Sequence, residues 1–127
     1  MHTTDSSHSV KATVDRLVSA LERRGIAVFA RIDHAGAARA AGLELGDEEL
    51  LVFGDPRVGT LLMQSDPAVG YELPLRVLVW DAGEGTKVGY RLPQELAGDF
   101  ALSARAEVLE RMAELLAALV AESTSAA

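Results

Sequence analysis

The chain has 127 residues, 12 basic and 19 acidic side chains, a formal net charge of −7 and no cysteine. This length predicts one domain with a substantial core, and the excess of carboxylates argues against nucleic acids or anionic membranes as partners, because both require a surplus of lysine and arginine. Without cysteine, the chain has no disulfide, thiolate zinc site or cysteine nucleophile.

Residues 1–9, MHTTDSSHS, are polar and rich in serine and threonine. They lack the charged and apolar regions of a secretory signal, and no apolar run reaches the roughly 20 residues needed to cross a bilayer. We therefore expect a flexible N-terminal segment and a cytoplasmic protein. His2 and His8 lie in this segment, and we expect no metal role for either residue.

The first half of the predicted domain reads as helix, strand and helix. Apolar residues recur at helical spacing from Val10 to Leu21, and Gly25 can end that helix. Residues 26–34, IAVFARIDH, alternate as a half-buried strand does. The residues expected to face the helices are Ile26, Val28 and Ile32, and those expected on the other face are Phe29 and Arg31. Residues 35–46 then predict a short alanine-rich helix that ends at Gly42.

Three further strands are expected. Residues 49–54, ELLVFG, are uniformly apolar, which indicates a strand inside the sheet. A helix of about two turns, TLLMQSD, follows and stops at Pro67. After a loop, the segments LRVLVWD and KVGYRL predict two strands joined by the hairpin loop AGEGT.

The last predicted helix carries a broad apolar stripe from Val108 to Val120. We expect one domain over residues 10–122, followed by a frayed end at 123–127. The expected fold class is α+β: a two-layer sandwich with one mixed or largely antiparallel sheet of four or five strands and helices on one face.

The second face of this sheet is expected to be too apolar to face water. Arg76, Leu78 and Trp80 share one side of the third strand and would lie there with Phe29 and Arg31. An exposed apolar patch on a soluble protein usually marks a contact surface, and self-association is the commonest way to cover it. We therefore predict a homodimer. Trp80 and Tyr90 are expected to form a cross-strand or interface aromatic pair.

The central part of the chain resembles the bacterial family known as domain of unknown function 302. The resemblance rests on RIDHA at 31–35, GLEL at 42–45, ELLVFGDPRVGTLLMQ at 49–64 and LPLRVLVWD at 73–81. It covers most of residues 11–92 and implies a compact α+β domain that often forms dimers. It implies no settled activity.

Three positions depart from the pattern of that family. Asp55 stands where the family usually has asparagine, and Tyr71 and Glu72 replace an aliphatic residue and an aspartate. Residues 90–93 read YRLP where the family usually has Y-N-D-P. A site that the family builds from those two polar side chains is therefore not expected here.

The loop between the second strand and its helix has part of a phosphate-loop pattern. Gly54 and Gly59 have the G-x-x-x-x-G spacing, but Thr60 occupies the position of the required lysine, so nucleotide hydrolysis is not expected. Free N–H groups after Gly59 could still bind a carboxylate or phosphate at a helix start. Alternatively, Pro56 only fixes a turn, Gly59 supplies an unusual backbone dihedral and Thr60 caps the helix.

Asp33 and His34 end the first predicted strand, where ligand groups are common in layered folds. His34 could act as a general base or a ligand donor, or could be buried and bonded to a backbone carbonyl. Gln64 could orient a small polar ligand nearby.

Our leading hypothesis is a homodimeric module that binds a small polar or anionic ligand, without metal or cofactor. The candidate ligand-binding residues are Asp33, His34, Gly54, Asp55, Gly59, Thr60 and Gln64. One alternative is an enzyme with His34 as acid or base and an anion hole at Gly59 and Thr60. Another is a protein-interaction module that binds no small ligand.

Overall fold

The computed structural model describes residues 1–126. In chain order, its helices and strands are β1 His2–Ser6, α1 Val10–Arg23, β2 Ala27–Asp33, α2 His34–Ala40, β3 Glu48–Gly54, α3 Pro56–Ser65, β4 Leu75–Asp81, β5 Thr86–Tyr90 and α4 Ala106–Thr124. Short 3₁₀ segments occupy Pro67–Glu72, Pro93–Gly98 and Ser103–Arg105.

The strands form one sheet in the order β1-β5-β4-β3-β2, and every neighbouring pair is antiparallel. The predicted α+β class is thereby confirmed, with five strands in the sheet. β3 lies between β4 and β2, as its uniformly apolar sequence indicates. The hairpin from β4 to β5 is also confirmed, and Gly83 and Gly85 in its loop both have positive φ.

The main core lies between α1, α4 and one face of the sheet. α1 and α4 pack against each other, and each contacts the sheet. The buried sheet residues on this face are Leu51, Phe53, Val77, Val79, Val88 and Tyr90. A second apolar cluster joins α3, the 3₁₀ segments and the first turns of α4. Leu75 packs against both clusters and so connects the two parts of the interior.

α1 forms because its ends are capped and one of its faces is apolar. The Ser9 side chain accepts a hydrogen bond from the backbone N–H of Ala12 at 3.1 Å. At the other end, Gly25 adopts a φ of 68°, which lets the chain turn back into β2. Just before that turn, Arg24 donates to a Glu122 carboxylate oxygen at 2.7 Å, which ties the end of α1 to α4.

The prediction of a flexible segment at residues 1–9 is wrong for its central part. His2–Ser6 is the edge strand β1 and pairs with β5. The backbone N–H of Ser7 donates to the Thr124 carbonyl oxygen at 2.9 Å, and His8 Nε2 lies 2.6 Å from the Ser125 carbonyl oxygen. A polar sequence can form an edge strand when its partner strand supplies the hydrogen bonds and much of the buried surface.

The expected fraying at residues 123–127 is also wrong for the first two of them. α4 continues to Thr124, and both Ser123 and Thr124 are buried. Their hydroxyls donate to the Val120 carbonyl oxygen at 3.1 and 2.7 Å. The contact with Ser7 fixes this end of the helix against the start of the chain. Ala127 lies outside the described residues.

A β-bulge in β2 changes the faces that were predicted for its side chains. The register with β3 shifts between Val28 and Ala30, so Phe29 is the extra residue. Arg31 pairs with the buried Leu51 and therefore points toward α1, whereas Ile32 pairs with Leu50 on the other face. The sequence alternation assigned these last two residues to the opposite faces, because it assumed an uninterrupted strand.

The second face of the sheet carries a partly buried apolar patch. The register places the apolar side chains of Ala30, Ile32, Leu50, Val52, Leu78 and Trp80 together, and the charged Glu48, Arg76 and Lys87 lie on the same face. Tyr90 is not among them: Leu78 pairs with Gly89, so Tyr90 faces the core, and the predicted pairing of Trp80 with Tyr90 does not occur.

Candidate functional site

A groove of about 330 Å³ lies where the end of β3, α3 and the middle of α4 approach one another. Its apolar lining consists of Ile26, Phe29, Pro56, Val58, Met63, Leu73, Pro74, Leu75, Met112 and Leu115. Phe29 reaches the groove from the bulge of β2 and remains 54% exposed. The bulge therefore places a large aromatic ring at the groove.

The start of α3 forms one wall of the groove, and Asp55 determines where this helix begins. Its Oδ1 accepts a hydrogen bond from the backbone N–H of Arg57 at 2.9 Å, and Pro56 fills the first helical position. The Arg57 guanidinium also bonds to the carboxylate, and this contact lowers the pKa of Asp55. Asp55, and not Thr60, is thus the N-cap.

The anion hole predicted at Gly59 and Thr60 is not formed by this geometry. Because α3 begins at Pro56, Gly59 lies inside the first turn, and its N–H donates to the Asp55 carbonyl oxygen at 3.0 Å. Gly59 does not have a positive φ either, so the expected unusual dihedral is absent. The sequence predicted that the helix starts at Thr60, one turn after its actual start at Pro56, because the residues after Gly59 have the clearer apolar pattern.

The polar groups at the groove include one unpaired cation. Arg111 lies on the exposed side of α4 and lines the groove. Within residues 1–126 its guanidinium makes no hydrogen bond or ion pair. The Thr60 side chain also lines the groove and has no hydrogen-bond partner in the same part of the chain. These two groups are available to a ligand.

Asp33 and His34 are in a different place from the groove. Asp33 is the N-cap of α2, and its Oδ1 accepts from the backbone N–H of Gly36 at 2.9 Å. His34 is the first residue of α2 and is half-buried. Neither residue lines the groove. Because the strand ends at Asp33, His34 does not continue its alternation, contrary to the expectation.

Gln64 is also outside the lining of the groove. It is exposed near the end of α3, and its Oε1 accepts from Arg105 Nη2 at 3.4 Å. Of the seven predicted site residues, the groove therefore brings together Gly54, Asp55, Gly59 and Thr60.

The sequence interpretation missed the part of the site that α4 supplies. Arg111, Met112 and Leu115 line the groove, although they lie more than 50 positions after Gly59. Their helical pattern predicted a helix and its apolar face, but no local pattern indicates which distant loop that face meets. The alternation in residues 26–34 predicts Phe29 on the second face of the sheet, whereas the bulge in β2 brings its ring to the groove.

No three histidine or carboxylate side chains in the range 1–126 lie together in a way that could hold a metal ion. No helix in the range combines the length and the apolar character needed to cross a membrane.

Curated relatives share part of their length with this chain. "Fluoride-specific ion channel FluC 1" of Brucella suis biovar 1 is 43% identical over 83 residues, which are 65% of this chain and 33% of that protein. "Fluoride-specific ion channel FluC 2" of Brucella melitensis biotype 1 is also 43% identical over 83 residues, which are 31% of its length. The chain thus spans about a third of these relatives.

A solved structure confirms the fold. The crystal structure of an uncharacterized conserved protein DUF302 from Bacillus stearothermophilus superimposes with a TM-score of 0.85, covers 95% of both chains and is 24% identical in sequence. Residues 2–119 match the family described as "Domain of unknown function DUF302". Since this match includes nearly all of the described residues, the chain belongs to the DUF302 family.

Proposed function

We propose that this chain is a cytoplasmic binding module whose groove takes a small amphipathic anion, a molecule with an apolar body and one carboxylate or phosphate group. The observation that carries the proposal is the position of the unpaired Arg111 guanidinium beside an otherwise apolar groove. A cavity of about 330 Å³ is within the usual size range of small-molecule sites.

The lining determines which part of such a ligand lies inside. Aliphatic and aromatic side chains favour a hydrocarbon body, because its transfer from water contributes roughly 25 cal/mol per Å² of apolar surface. A purely polar ligand would lose its hydration there without gaining hydrogen bonds. We therefore propose an amphipathic ligand, a more specific class than the polar or anionic ligand expected from the sequence.

The charged groups determine which end group is preferred. Arg111 can form two parallel hydrogen bonds with a carboxylate or phosphate, and the Thr60 hydroxyl can donate another. Asp55 also lines the groove, but it is paired with Arg57, which reduces its repulsion of an anion. The net preference at the groove is for a negative group.

Octanoate and its neutral analogue octanol are suitable probes for this proposal. Isothermal titration with the purified protein is expected to show saturable binding of octanoate and weaker binding of octanol. The variant Arg111→Gln should weaken octanoate binding about tenfold, since one charge-assisted pair at a solvent-accessible site is lost. Octanol binding should be unaffected by this substitution.

The matched control is Arg39→Gln, which removes another exposed arginine that does not line the groove. It should leave octanoate affinity unchanged. Sodium fluoride is a second probe, because the curated relatives are named as fluoride channels. We expect no saturable fluoride binding, since a strongly hydrated ion gains little in an apolar groove. Absence of octanoate binding, or equal losses in both arginine variants, would refute the proposal.

The partly buried second face of the sheet supports a further proposal, that the module is a homodimer. Six apolar side chains on neighbouring strands form a patch on this face, bordered by Glu48, Arg76 and Lys87, and pairing with a second copy would remove the patch from water. The three-residue set Ile32, Leu50 and Leu78 crosses three adjacent strands, so the surface is continuous.

A further inference from the structure

A second cavity lies at the point where β4 and β5 separate. β4 begins at Leu75, but its pairing with β5 starts only at Leu78, opposite Gly89. The cavity measures about 250 Å³. Six leucines from β3, β4, the segment after β5 and α4 line it: Leu50, Leu75, Leu78, Leu92, Leu96 and Leu116. The gap in the sheet is thus bordered mainly by aliphatic side chains.

Tyr90, the last residue of β5, is the member of this lining that carries a hydroxyl group. The residue as a whole is only 4% exposed, but its hydroxyl oxygen still reaches solvent and makes no hydrogen bond within residues 1–126. Its ring contacts that of His2 at a centroid distance of 5.3 Å. A phenol hydroxyl without an intramolecular partner can donate a hydrogen bond to an acceptor that enters the cavity.

We propose that this cavity is a second ligand site, for a small and mainly apolar molecule whose carbonyl oxygen accepts a hydrogen bond from Tyr90. The site is separate from the groove described above, although Leu75 lines both. An apolar body matches the leucine lining, and a carbonyl supplies the partner that the hydroxyl lacks.

Two further observations define the ligand class. Burial raises the pKa of Tyr90, so its hydroxyl is protonated at neutral pH and can donate to an acceptor. The two arginines of the lining, Arg76 and Arg91, are both paired with Glu72 at 3.3 and 3.1 Å. Since both guanidiniums already have a carboxylate partner, the cavity favours an uncharged carbonyl compound over an anion.

The two cavities can be distinguished experimentally even though they are neighbours. Leu75 contributes to the lining of both. On α4, Leu115 lines the groove and Leu116 lines the cavity. Methyl resonances of Leu78 and Leu116 therefore report on the cavity, and those of Met63 and Met112 on the groove.

The test uses acetophenone and α-methylstyrene. In α-methylstyrene a C=CH₂ group replaces the C=O group of acetophenone. Methyl NMR titrations of the whole protein should show saturable shifts at Leu78 and Leu116, with acetophenone binding about fivefold more tightly. In Tyr90→Phe, which removes only the hydroxyl, the two compounds should bind equally. Tyr71→Phe is the matched control, because Tyr71 is 90% exposed and lines neither cavity.

The folding of the Tyr90→Phe variant provides an independent measurement. Because no protein group bonds to the hydroxyl, its removal should leave the thermal midpoint of the ligand-free protein unchanged or raise it. The proposal is overturned if neither compound saturates the cavity resonances at millimolar concentration, or if shifts appear only at Met63 and Met112. It is also overturned if Tyr90→Phe retains the preference for acetophenone.

Discussion

Arg31 of β2 donates from Nη1 to Oδ1 of Asp15 in α1 at 2.7 Å. The same guanidinium donates from Nε to Oε1 of Glu49 in β3 at 2.7 Å, so one side chain joins the edge strand to its neighbour and to the helix above. The contact depends on the bulge at Phe29, which turns Arg31 toward α1. The bulge thus places a cation on the helix side and an aromatic ring at the groove.

This ion pair predicts a specific acid sensitivity. The hydrogen bond from Arg31, followed by that from Lys11, lowers the pKa of Asp15 below its ordinary value of 3.8. A carboxylate whose pKa is lower in the folded state stabilises the fold above its unfolded pKa, and this contribution is lost as the pH falls through the folded value. Asp15→Asn should therefore lose less stability than the wild type between about pH 5 and about pH 2, as measured by urea unfolding.

Glu84→Gln provides the control for that experiment. Glu84 is exposed in the β4–β5 loop and makes no hydrogen bond or ion pair within residues 1–126. Its substitution should leave the acid dependence as it is in the wild type. If Asp15→Asn and wild type lost stability in parallel, the contact between Arg31 and Asp15 would have no part in the pH response.

Two glycines should respond to alanine substitution in opposite ways. Gly59 lies within α3, and an added Cβ would be 3.6 Å from Leu73 Cδ1, an ordinary contact. Gly59→Ala should stabilise the protein by about 0.5 to 1 kcal/mol, because alanine has the higher helix propensity. Gly25 has a φ of 68°, so Gly25→Ala should destabilise it by about 1 kcal/mol.

Chemical unfolding of both variants measures this difference directly. The result also tests the position of the helix start. If Gly59 had the unusual dihedral expected from the sequence, its substitution would be destabilising, as for Gly25. A loss of stability in Gly59→Ala would therefore contradict a helix that begins at Pro56.

The sequence predicted the parts of the fold whose signals are local. The boundaries of β4 and the hairpin after it follow from residues 75–86, where apolar alternation and glycines coincide. The family resemblance also pointed to the correct class, and the same central segment contains β3 and α3. These features need no knowledge of distant residues.

The features that the sequence did not predict depend on tertiary contacts. β1 has a polar sequence, and β5 supplies its hydrogen bonds from 80 to 88 positions away. The bulge at Phe29 adds one residue to an otherwise regular alternation, so every later side chain in β2 changes face. Arg111 reaches the groove only because α4 packs against the second apolar cluster. The periodicity of the sequence does not indicate these tertiary contacts.

The homodimer is tested by adding a charge to the second face of the sheet. Ile32 is suitable because it is 40% exposed, so a substitution there should preserve the fold. Ile32→Glu should weaken self-association at least about tenfold, since two copies would bury an unpaired charge. Light scattering at micromolar concentration should show twice the chain mass of 13.5 kDa for the wild type and a smaller value for the variant.

Tyr71→Glu is the control, because Tyr71 is highly exposed on the 3₁₀ segment after α3 and is not part of the sheet face. It should retain the mass of the wild type. A monomeric mass for the wild-type protein would rule out the homodimer under these conditions. A dimer that Ile32→Glu leaves intact would indicate a different interface.

The last prediction separates the cap of α2 from the ligand groove. Asp33→Ala should lower the free energy of unfolding by about 1 kcal/mol, because the Gly36 N–H loses its acceptor. His34→Ala should have little effect on stability. Neither substitution should change octanoate affinity, since neither side chain lines the groove. Titration and urea unfolding of both variants measure the two quantities. If His34→Ala weakened octanoate binding as strongly as Arg111→Gln does, His34 would have to reach the ligand, and an acid–base role for it would again have support.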